Sequence, residues 1–156
     1  MALIDFKHVG TKSDAKNNNL PQKPAPIGFK TPLRFGNSAD GIFEMNFTVE
    51  RQIRDNLKNL LLTNYGERLG LYYYGGNLEP LLFEFNSPDF DSMVASNIQK
   101  AVSTFMPYIQ LGTLELFDAS MTTLPKDADV KIKIVYSSED YGVINDGLEL
   151  YMRIAG

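Results

Sequence analysis

The chain of 156 residues lacks cysteine entirely and contains a single histidine, His8. Without cysteine it forms no disulfide and offers no thiolate nucleophile. One histidine in a polar leader cannot build the His cluster of a transition-metal site, so neither a metal nor another cofactor is expected. A Gly-x-Ser-x-Gly elbow is also missing, which argues against a Ser-His nucleophilic triad. Gly75-Gly76 is not followed by Lys-Ser or Lys-Thr, so it predicts a tight turn and not a phosphate-binding loop.

The sequence also has no excess of basic residues. Its 15 Lys and Arg against 19 Asp and Glu give a formal net charge of -4 and a pI near 5.0. Binding to phosphates or anionic lipid relies on a basic surface, so nucleic acid and membranes are not expected partners. No apolar run approaches the roughly 20 residues of a bilayer span, and Asp5, Lys7 and His8 interrupt any apolar signal core. The protein is expected to be soluble and made in the cytoplasm.

The first 32 residues differ from the rest in composition. They contain Asn17-Asn18-Asn19 and four prolines, a composition that cannot easily bury apolar surface. We expect an extended N-terminal arm over residues 1–32 and a single domain over residues 33–156, because a hydrophobic content of 44% supports one ordinary core. The arm is either a disordered tail or a segment that orders along a neighbouring subunit, with its anchors at Ile4, Phe6, Ile27 and Phe29.

Two amphipathic helices are predicted. The first begins near Thr48, an N-cap residue type, and runs to about Thr63, with Gly66 suited to the left-handed position after its end. The second opens at Ser87-Pro88-Asp89, a capping residue followed by proline and an acid, and ends at Pro107. The apolar faces, at three- and four-residue steps, are Val49, Ile53, Leu57, Leu60 and Leu61 in the first helix and Phe90, Val94, Ile98, Ala101, Val102 and Phe105 in the second.

Strand-like patterns occur in two parts of the chain. Residues 32–47 favour a short hairpin or a pair of extended pieces. Towards the C-terminus, residues 108–117 are rich in β-forming residues, and residues 130–136 and 148–154 alternate apolar with polar side chains. Asn145-Asp146-Gly147 is turn chemistry that would direct the last strand back along the previous one. We therefore predict an α+β fold, with two helices packed on one face of a small mixed or antiparallel β-sheet.

The pair Glu67-Arg68 stands among apolar and aromatic residues, where an unpaired charge is costly. Three interpretations are open. The pair lies in a solvated loop, or Arg68 caps the carbonyls at the end of the first helix with Glu67 paired nearby. In the third interpretation the pair reaches a partner chain through bidentate hydrogen bonds that lysine could not reproduce.

Nearby acids and tyrosines raise two further alternatives. Glycoside hydrolysis needs two carboxylates about 5 to 9.5 Å apart, and Glu67, Glu79 and Glu84 are the acids near aromatic surface. The positive charge of Arg68 disfavours the protonated carboxyl that an acid catalyst requires. Tyr72-Tyr73-Tyr74 would stack on sugar rings in a carbohydrate-binding module. A non-catalytic role is the stronger interpretation of this stretch.

One long run resembles a known family. It consists of Ile53-Arg54-x-x-Leu57-x-x-Leu60-Leu61-Leu62-Thr63-x-x-Gly66-Glu67-Arg68, followed by Tyr74-Gly75-x-x-Leu78 and Leu81-Leu82-Phe83-Glu84. This run is similar to the baseplate wedge and sheath-initiator family of contractile phage tails, which has relatives in type VI secretion systems. Gly28-Phe29-x-x-Pro32-Leu33 resembles the entry segment of that family. The resemblance covers roughly residues 27–156.

The resemblance implies a structural subunit of the virion tail baseplate, assembled in the host cytoplasm, with a lysozyme-like peptidoglycan hydrolase as the alternative. Expected partners are other wedge subunits, the tail sheath protein and, through the arm, tail-tube or hub proteins. The motif would lock the subunit to the helical core bundle of the wedge, with Leu69 standing where the family commonly has proline. The residues expected at that contact are Glu67, Arg68, Leu69, Tyr74, Gly75 and Leu78.

The same resemblance implies that the C-terminal strands template the first sheath ring. A strand at a sheet edge carries unpaired N–H and C=O groups, which a sheath subunit can satisfy by adding a strand. Lys131 and Lys133, with Glu149 and Arg153, are then either cross-strand pairs or solvated residues that protect the edge. The residues expected along these strands are Val130, Ile132, Ile134, Leu148, Leu150, Met152 and Ile154.

Overall fold

Two α-helices and a three-stranded antiparallel sheet make up most of the fold. The computed structural model describes residues 24–36, 42–84, 87–118 and 130–153. In chain order the elements are β1 (Gly28–Phe29), β2 (Met45–Asn46), α1 (Val49–Leu62), a 3-10 helix (Glu79–Glu84), α2 (Phe90–Phe105), β3 (Gln110–Asp118), β4 (Val130–Ser138), a 3-10 turn (Glu139–Tyr141) and β5 (Val143–Met152). The predicted α+β class is confirmed, and the sheet is antiparallel throughout.

Both helices pack on one face of the sheet. Strand β4 alternates strictly between buried and half-buried residues, so every second side chain faces the helices. Helix α1 lies against β5, and α2 lies against β3. Each large apolar side chain buried in this layer contributes about 1.5 to 3 kcal/mol. The core members from β4 are Val130, Ile132, Ile134 and Tyr136.

Helix α1 begins and ends within a residue of the predicted bounds. Thr48 occupies the N-cap position in an extended conformation, and its carbonyl accepts a bond of 3.2 Å from the Gln52 N–H. Val49 was predicted on the apolar face but is 38% exposed at the first position of the helix. The other predicted apolar positions, Ile53, Leu57, Leu60 and Leu61, are buried.

Helix α2 begins at Phe90, after the predicted start at Ser87. The Ser87 carbonyl accepts a bond from the Phe90 N–H at 3.1 Å, so a turn precedes the helix and Asp89 becomes its N-cap. The helix ends before Pro107, as predicted, and Phe105 is half-buried. Its buried face is Phe90, Val94, Ile98, Ala101 and Val102. None of the helices in the described ranges is long and apolar enough to cross a membrane.

Strand order corrects one prediction. The order is β3-β4-β5, so β4 is the central strand and both of its edges are paired. The expectation that residues 130–136 offer an edge is therefore wrong. Hydrophobic alternation shows which face of a strand is buried, but it does not show which strand lies in the middle of a sheet. Within the described residues, the edges of this sheet are β3 and β5.

The turn before the last strand is also displaced from its predicted place. Asn145, Asp146 and Gly147 lie inside β5, opposite the end of β4. The chain reverses instead through the 3-10 turn and Gly142, which has a left-handed φ of 69°. Asn145 has a φ of 49°, where the register between β4 and β5 shifts. The Asn-Asp-Gly segment thus forms an irregularity within the strand and not the hairpin turn.

Of the two arrangements predicted for residues 32–47, a hairpin is the one observed, and it extends back to β1, before the predicted range. Strand β1 pairs with β2, and Phe35 bridges to Phe43. Buried Asn46 donates to the Asp55 carboxylate of α1 at 2.7 Å, which fixes the hairpin to the helix. Ile4 and Phe6 lie outside the described residues.

Candidate functional site

The segment after α1, residues 63–78, is called the motif loop here. It returns over the end of the helix. The Leu60 carbonyl accepts a bond from the Gly76 N–H at 2.9 Å, and the Thr63 carbonyl accepts one from the Asn77 N–H at 3.2 Å. Carbonyls at a helix end have no partner within the helix, and here the loop backbone supplies two donors. The motif loop is therefore joined to α1 by its own backbone.

Two glycines permit this close return. Gly75 has a φ of 131°, and a Cβ there would lie 2.1 Å from the Thr63 carbonyl oxygen. A Cβ at Gly76 would lie 2.9 Å from the Leu61 carbonyl oxygen. Distances this short require the backbone to move, so a side chain is excluded at Gly75 in this conformation. The sequence predicted a tight turn at Gly75-Gly76, whereas these glycines allow a bent segment to approach the end of α1 closely.

Gly66 closes the opposite side of the loop. Its φ is 87°, and its N–H donates to the Tyr72 carbonyl at 2.8 Å. Helix α1 has already ended at Leu62, and Thr63 is extended. The prediction of a left-handed Gly66 is right, but its role differs, because it closes the loop and does not terminate the helix.

Glu67 is bound to its own loop. Its carboxylate accepts bonds from the Asn64 backbone N–H at 2.7 Å and from the Asn64 side-chain amide at 3.2 Å. The same amide donates to Glu79 at 2.6 Å. Glu67 and Glu79 both remain exposed. These bonds fix the shape of the loop next to the exposed Arg68.

Arg68 stacks on an aromatic side chain. Its guanidinium carbon lies 4.1 Å from the centre of the Tyr74 ring, and Tyr74 packs on Phe105 of α2 at 4.9 Å between ring centres. Among the described residues Arg68 forms no hydrogen bond or salt bridge, so it neither caps α1 nor pairs with Glu67. Stacking uses the face of the guanidinium group and leaves its N–H edge available.

The tip of the motif loop is apolar and exposed. Gly75 and Leu78, two of the predicted contact residues, are instead buried, so they support the loop from below and do not reach its surface. Tyr74 is half-buried beneath Arg68. The exposed apolar residues are Leu69 at 100%, Leu71 at 52%, Tyr72 at 63% and Tyr73 at 74%.

A second candidate surface is the outer edge of β5. Its inward side chains, Leu148, Leu150 and Met152, belong to the core, while Glu149 and Tyr151 are exposed. Ile154 lies outside the described residues. Val130, Ile132 and Ile134 are buried on central β4 and have no free edge to offer. Of the residues predicted for strand addition, only Leu148, Leu150 and Met152 therefore lie on an edge strand within the described residues.

The predicted charges on these strands form cross-strand pairs. Lys131 forms a salt bridge with Glu149 at 2.9 Å, and Lys133 forms one with Glu115 at 3.3 Å. The bond to Glu149 raises the pKa of Lys131, and the bond from Lys131 lowers the pKa of Glu149. Cross-strand pairing, one of the two interpretations left open by the sequence, is thus observed for Lys131 with Glu149, whereas Lys133 pairs with Glu115 of β3, a partner that the sequence analysis did not name.

A polar junction that the sequence did not indicate joins α1 to β5. Arg54 donates to both oxygens of the Asp146 carboxylate, with Nε at 3.1 Å. The Tyr136 hydroxyl donates to the same carboxylate at 2.6 Å. Burial opposes the ionisation of Asp146, but the bonds from Arg54 and Tyr136 outweigh it and lower the pKa of Asp146. Burial and the bond to Asp146 raise the pKa of Tyr136.

Residues 48–140 match the family model described as baseplate wedge protein gp25. The chain belongs to this family. It is therefore a structural subunit of a contractile-tail baseplate, located in the virion tail, and other baseplate subunits are its partners. The resemblance seen in the sequence is confirmed.

Solved structures agree on the fold. Five chains match, and one of them belongs to the cryo-EM structure of the anti-feeding prophage (AFP) baseplate, 6-fold symmetrised. That chain has a TM-score of 0.56 and 19% sequence identity, over 69% of this chain and 81% of its own length. No curated protein sequence matches the chain. The family match includes the whole motif loop and β4 but ends before β5.

Proposed function

We propose that this gp25-family chain is a non-enzymatic assembly subunit with two working surfaces. The motif loop binds the helical core bundle of the baseplate wedge, and the edge of β5 templates the first sheath ring by strand addition. One observation carries the proposal: Leu69 is 100% exposed at the tip of a loop whose base is bonded to α1. An apolar side chain held in water by a restrained loop gains free energy when a partner covers it.

Arg68 supplies the specific part of this contact. Its stacking on Tyr74 fixes the plane of the guanidinium group, and its N–H edge can then donate two parallel bonds to a carboxylate of the wedge. A lysine at this position could neither stack in this way nor donate bidentately. Glu67 and Tyr74 take part by holding the loop and the guanidinium group in place, and buried Gly75 and Leu78 support them.

Leu69 replaces the proline that is common in the family, and the rest of the loop makes up for the lost stiffness. A proline would fix one φ angle of the backbone. Here the bond from the Gly66 N–H to the Tyr72 carbonyl and the bonds from Asn64 to Glu67 restrain the loop on both sides of Leu69. We infer that Glu67 and Arg68 keep a binding geometry without the proline.

The outer edge of β5 supports the second surface. Strand β4 is enclosed by β3 and β5, so a sheath strand that extends the sheet on this side must pair with β5. Leu148, Leu150 and Met152 face the core, so an added strand would continue the apolar layer beneath the sheet. For the N-terminal arm, residues 1–32, we propose tail-tube or hub proteins as partners. Half-exposed Ile27 and Phe29 would be the anchors, at the point where the arm joins the hairpin.

The hydrolase alternative gains no support from the positions of the acids. Glu67 and Glu79 are exposed and are bonded to the same Asn64 amide, and Arg68 follows Glu67 directly. A retaining or inverting glycosidase instead needs an acid in an environment that keeps it protonated. Lysis of purified peptidoglycan by this protein, lost in Glu67→Gln, would overturn the non-enzymatic assignment.

The wedge contact is tested by measuring the affinity of the full chain for a reconstituted wedge core complex. Arg68→Ala should weaken binding by about 3 kcal/mol or more, on the order of 100-fold, because it leaves a partner carboxylate buried and unpaired. Arg51→Ala, which removes an exposed arginine from α1, is the matched control and should leave the affinity unchanged.

Leu69→Ser should weaken the same contact, whereas Leu33→Ser, at a 61% exposed leucine of the hairpin, should not. Circular dichroism and thermal unfolding, measured on all four variants, should show that each is folded. Wild-type affinity of both Arg68→Ala and Leu69→Ser would rule out the motif loop as the wedge contact.

A further inference from the structure

Charged residues of the three strands lie in register on the outer face of the sheet, the face opposite the helices. In the strand register, Glu115 of β3 lies opposite Lys133 of β4, and Lys133 lies opposite Glu149 of β5. The sign of the charge therefore alternates across the sheet and ends with an acid at the β5 edge. Glu149 accepts bonds from Lys131 and from the Tyr151 hydroxyl, and its side chain is still 44% exposed. A further strand beside β5 would meet this carboxylate first.

The next position of β5 on the same face has no side chain. Gly147 lies opposite Val135 of β4, and a Cβ at Gly147 would meet nothing within 4 Å. The half-buried Val135 side chain is therefore uncovered on the β5 side. A large side chain on a neighbouring strand is the usual way in which a glycine at a sheet edge is covered.

We propose that the strand added to β5 carries a lysine or arginine opposite Glu149 and a large apolar residue two positions away, opposite Gly147. This inference rests on the strand addition proposed above and specifies the partner strand. An acid opposite Glu149 would repel it, whereas a cation continues the alternation of charge. An apolar side chain opposite Gly147 removes Val135 from water.

Two features of the chain favour a foreign strand at this edge. From Asp146 to Met152 the register of β5 with β4 is unbroken, so the edge presents a regular ladder, whereas β3 is interrupted between Leu111 and Leu114. A second copy of the chain cannot supply the pattern through its own β5, because Val143–Met152 contains no lysine or arginine. Two copies paired through their β5 strands would therefore lack the complementary cation, which favours a strand of a different protein.

Synthetic strand peptides test the pattern on the full chain. Each peptide has nine residues, in which valine alternates with residues that would point to the outer face of the sheet. Alternate amides are N-methylated, so that only one edge of the peptide strand can form hydrogen bonds. The three probes carry Lys and Phe, Glu and Phe, or Lys and Ser at the two outward positions that lie opposite Glu149 and Gly147, and they are otherwise identical. Fluorescence anisotropy gives the affinity, and hydrogen exchange of amides 147–152 reports pairing at β5.

The Lys-Phe peptide should bind about 5- to 10-fold more tightly than either of the other two and should protect the amides of β5. Glu149→Lys should reverse the preference between the Lys-Phe and Glu-Phe peptides. Glu115→Lys, which breaks an equivalent salt bridge at the other edge, is the matched control and should leave the preference unchanged.

Protection of β5 by all three peptides with equal affinity would overturn the side-chain pattern and leave strand addition intact. Absence of protection with every peptide would overturn strand addition itself. A preference reversed by Glu115→Lys and not by Glu149→Lys would place the site at β3. Concentration-dependent dimerisation that protects amides 147–152 without peptide would make a second copy the occupant.

Discussion

The Tyr136 hydroxyl donates a hydrogen bond of 2.6 Å to the Asp146 carboxylate, which joins the central strand β4 to the edge strand β5. Arg54 of α1 donates to the same carboxylate, so one acid connects a helix and two strands. Asn145, with its positive φ, directly precedes this acid at the break in strand register. The junction therefore sets where the regular part of the β5 edge begins.

Replacing Tyr136 by phenylalanine should destabilise the protein by about 1 to 2 kcal/mol, because a buried hydrogen bond to a charged group is lost without loss of packing. Chemical denaturation measures this as a lower midpoint with an unchanged slope. Tyr151→Phe is the control, since its hydroxyl bonds to exposed Glu149 and its loss should cost under about 0.5 kcal/mol. Equal destabilisation by the two variants would contradict a special role of the junction.

The junction should also make stability depend on acid pH. The pKa of Asp146 is lowered from its ordinary value of 3.8 in the folded state, so ionised Asp146 stabilises the fold above that value. This contribution is lost as the pH falls below about 3.8, through the folded-state pKa. Asp146→Asn should be less stable at pH 7 and should lose less stability than the wild type over this acid range, as measured by thermal unfolding from pH 7 to pH 2. Parallel curves for the two proteins would show that other acids control the loss.

A glycine prediction concerns the base of the motif loop. Gly75→Ala should destabilise the protein by about 3 kcal/mol or more, because its Cβ would lie 2.1 Å from the Thr63 carbonyl oxygen at a φ of 131°. Gly70→Ala is matched in being a positive-φ glycine, but nothing lies within 4 Å of its Cβ, so it should cost only about 1 to 2 kcal/mol. Comparable unfolding free energies for the two variants would mean that the loop rearranges easily at Gly75.

The elements of the fold were largely predictable because their signals are local. The spacing of Ile53, Leu57, Leu60 and Leu61 repeats with the period of a helix, and β4 alternates with the period of a strand. Strand order is not encoded in such a period, so the alternation of residues 130–136 does not distinguish a central strand from an edge strand. Asn145-Asp146-Gly147 has the composition of a turn, but Asp146 is held by Arg54, 92 residues away, and a contact of that range leaves no local pattern.

The geometry of the candidate site was not predictable from the sequence. The sequence singled out Glu67-Arg68 as a pair, whereas the structure separates their roles, with Glu67 on Asn64 and Arg68 on Tyr74. The stacking of Arg68 depends on the packing of Tyr74 against Phe105 of α2. These two residues are distant in the sequence, so no local residue spacing predicts their contact. The exposed edge of β5 likewise follows from topology and not from composition.

The last prediction concerns how the hairpin is attached to α1. Asn46 is 3% exposed, and its amide donates to Asp55 at 2.7 Å and to Gln52 at 3.2 Å. The Asp55 carboxylate also accepts a bond from the Thr31 N–H at 2.9 Å, so it holds both strands of the hairpin. Asn46→Ala should cost about 1 to 3 kcal/mol, because it removes the buried amide that donates to Asp55 and Gln52, and only the Thr31 N–H then still ties this part of the hairpin to Asp55.

This loss should be local, because the hairpin lies outside the core that joins the helices to the sheet. Hydrogen exchange should accelerate at the amides of Ile27 and Lys30, which donate to β2 and to Glu44, while the amides in the middle of α1 stay protected. Asn59→Ala, which removes only an exposed bond to the Thr31 hydroxyl, is the control and should leave the hairpin protected. Uniform acceleration across α1 and the sheet in Asn46→Ala would show instead that the hairpin and the core unfold together.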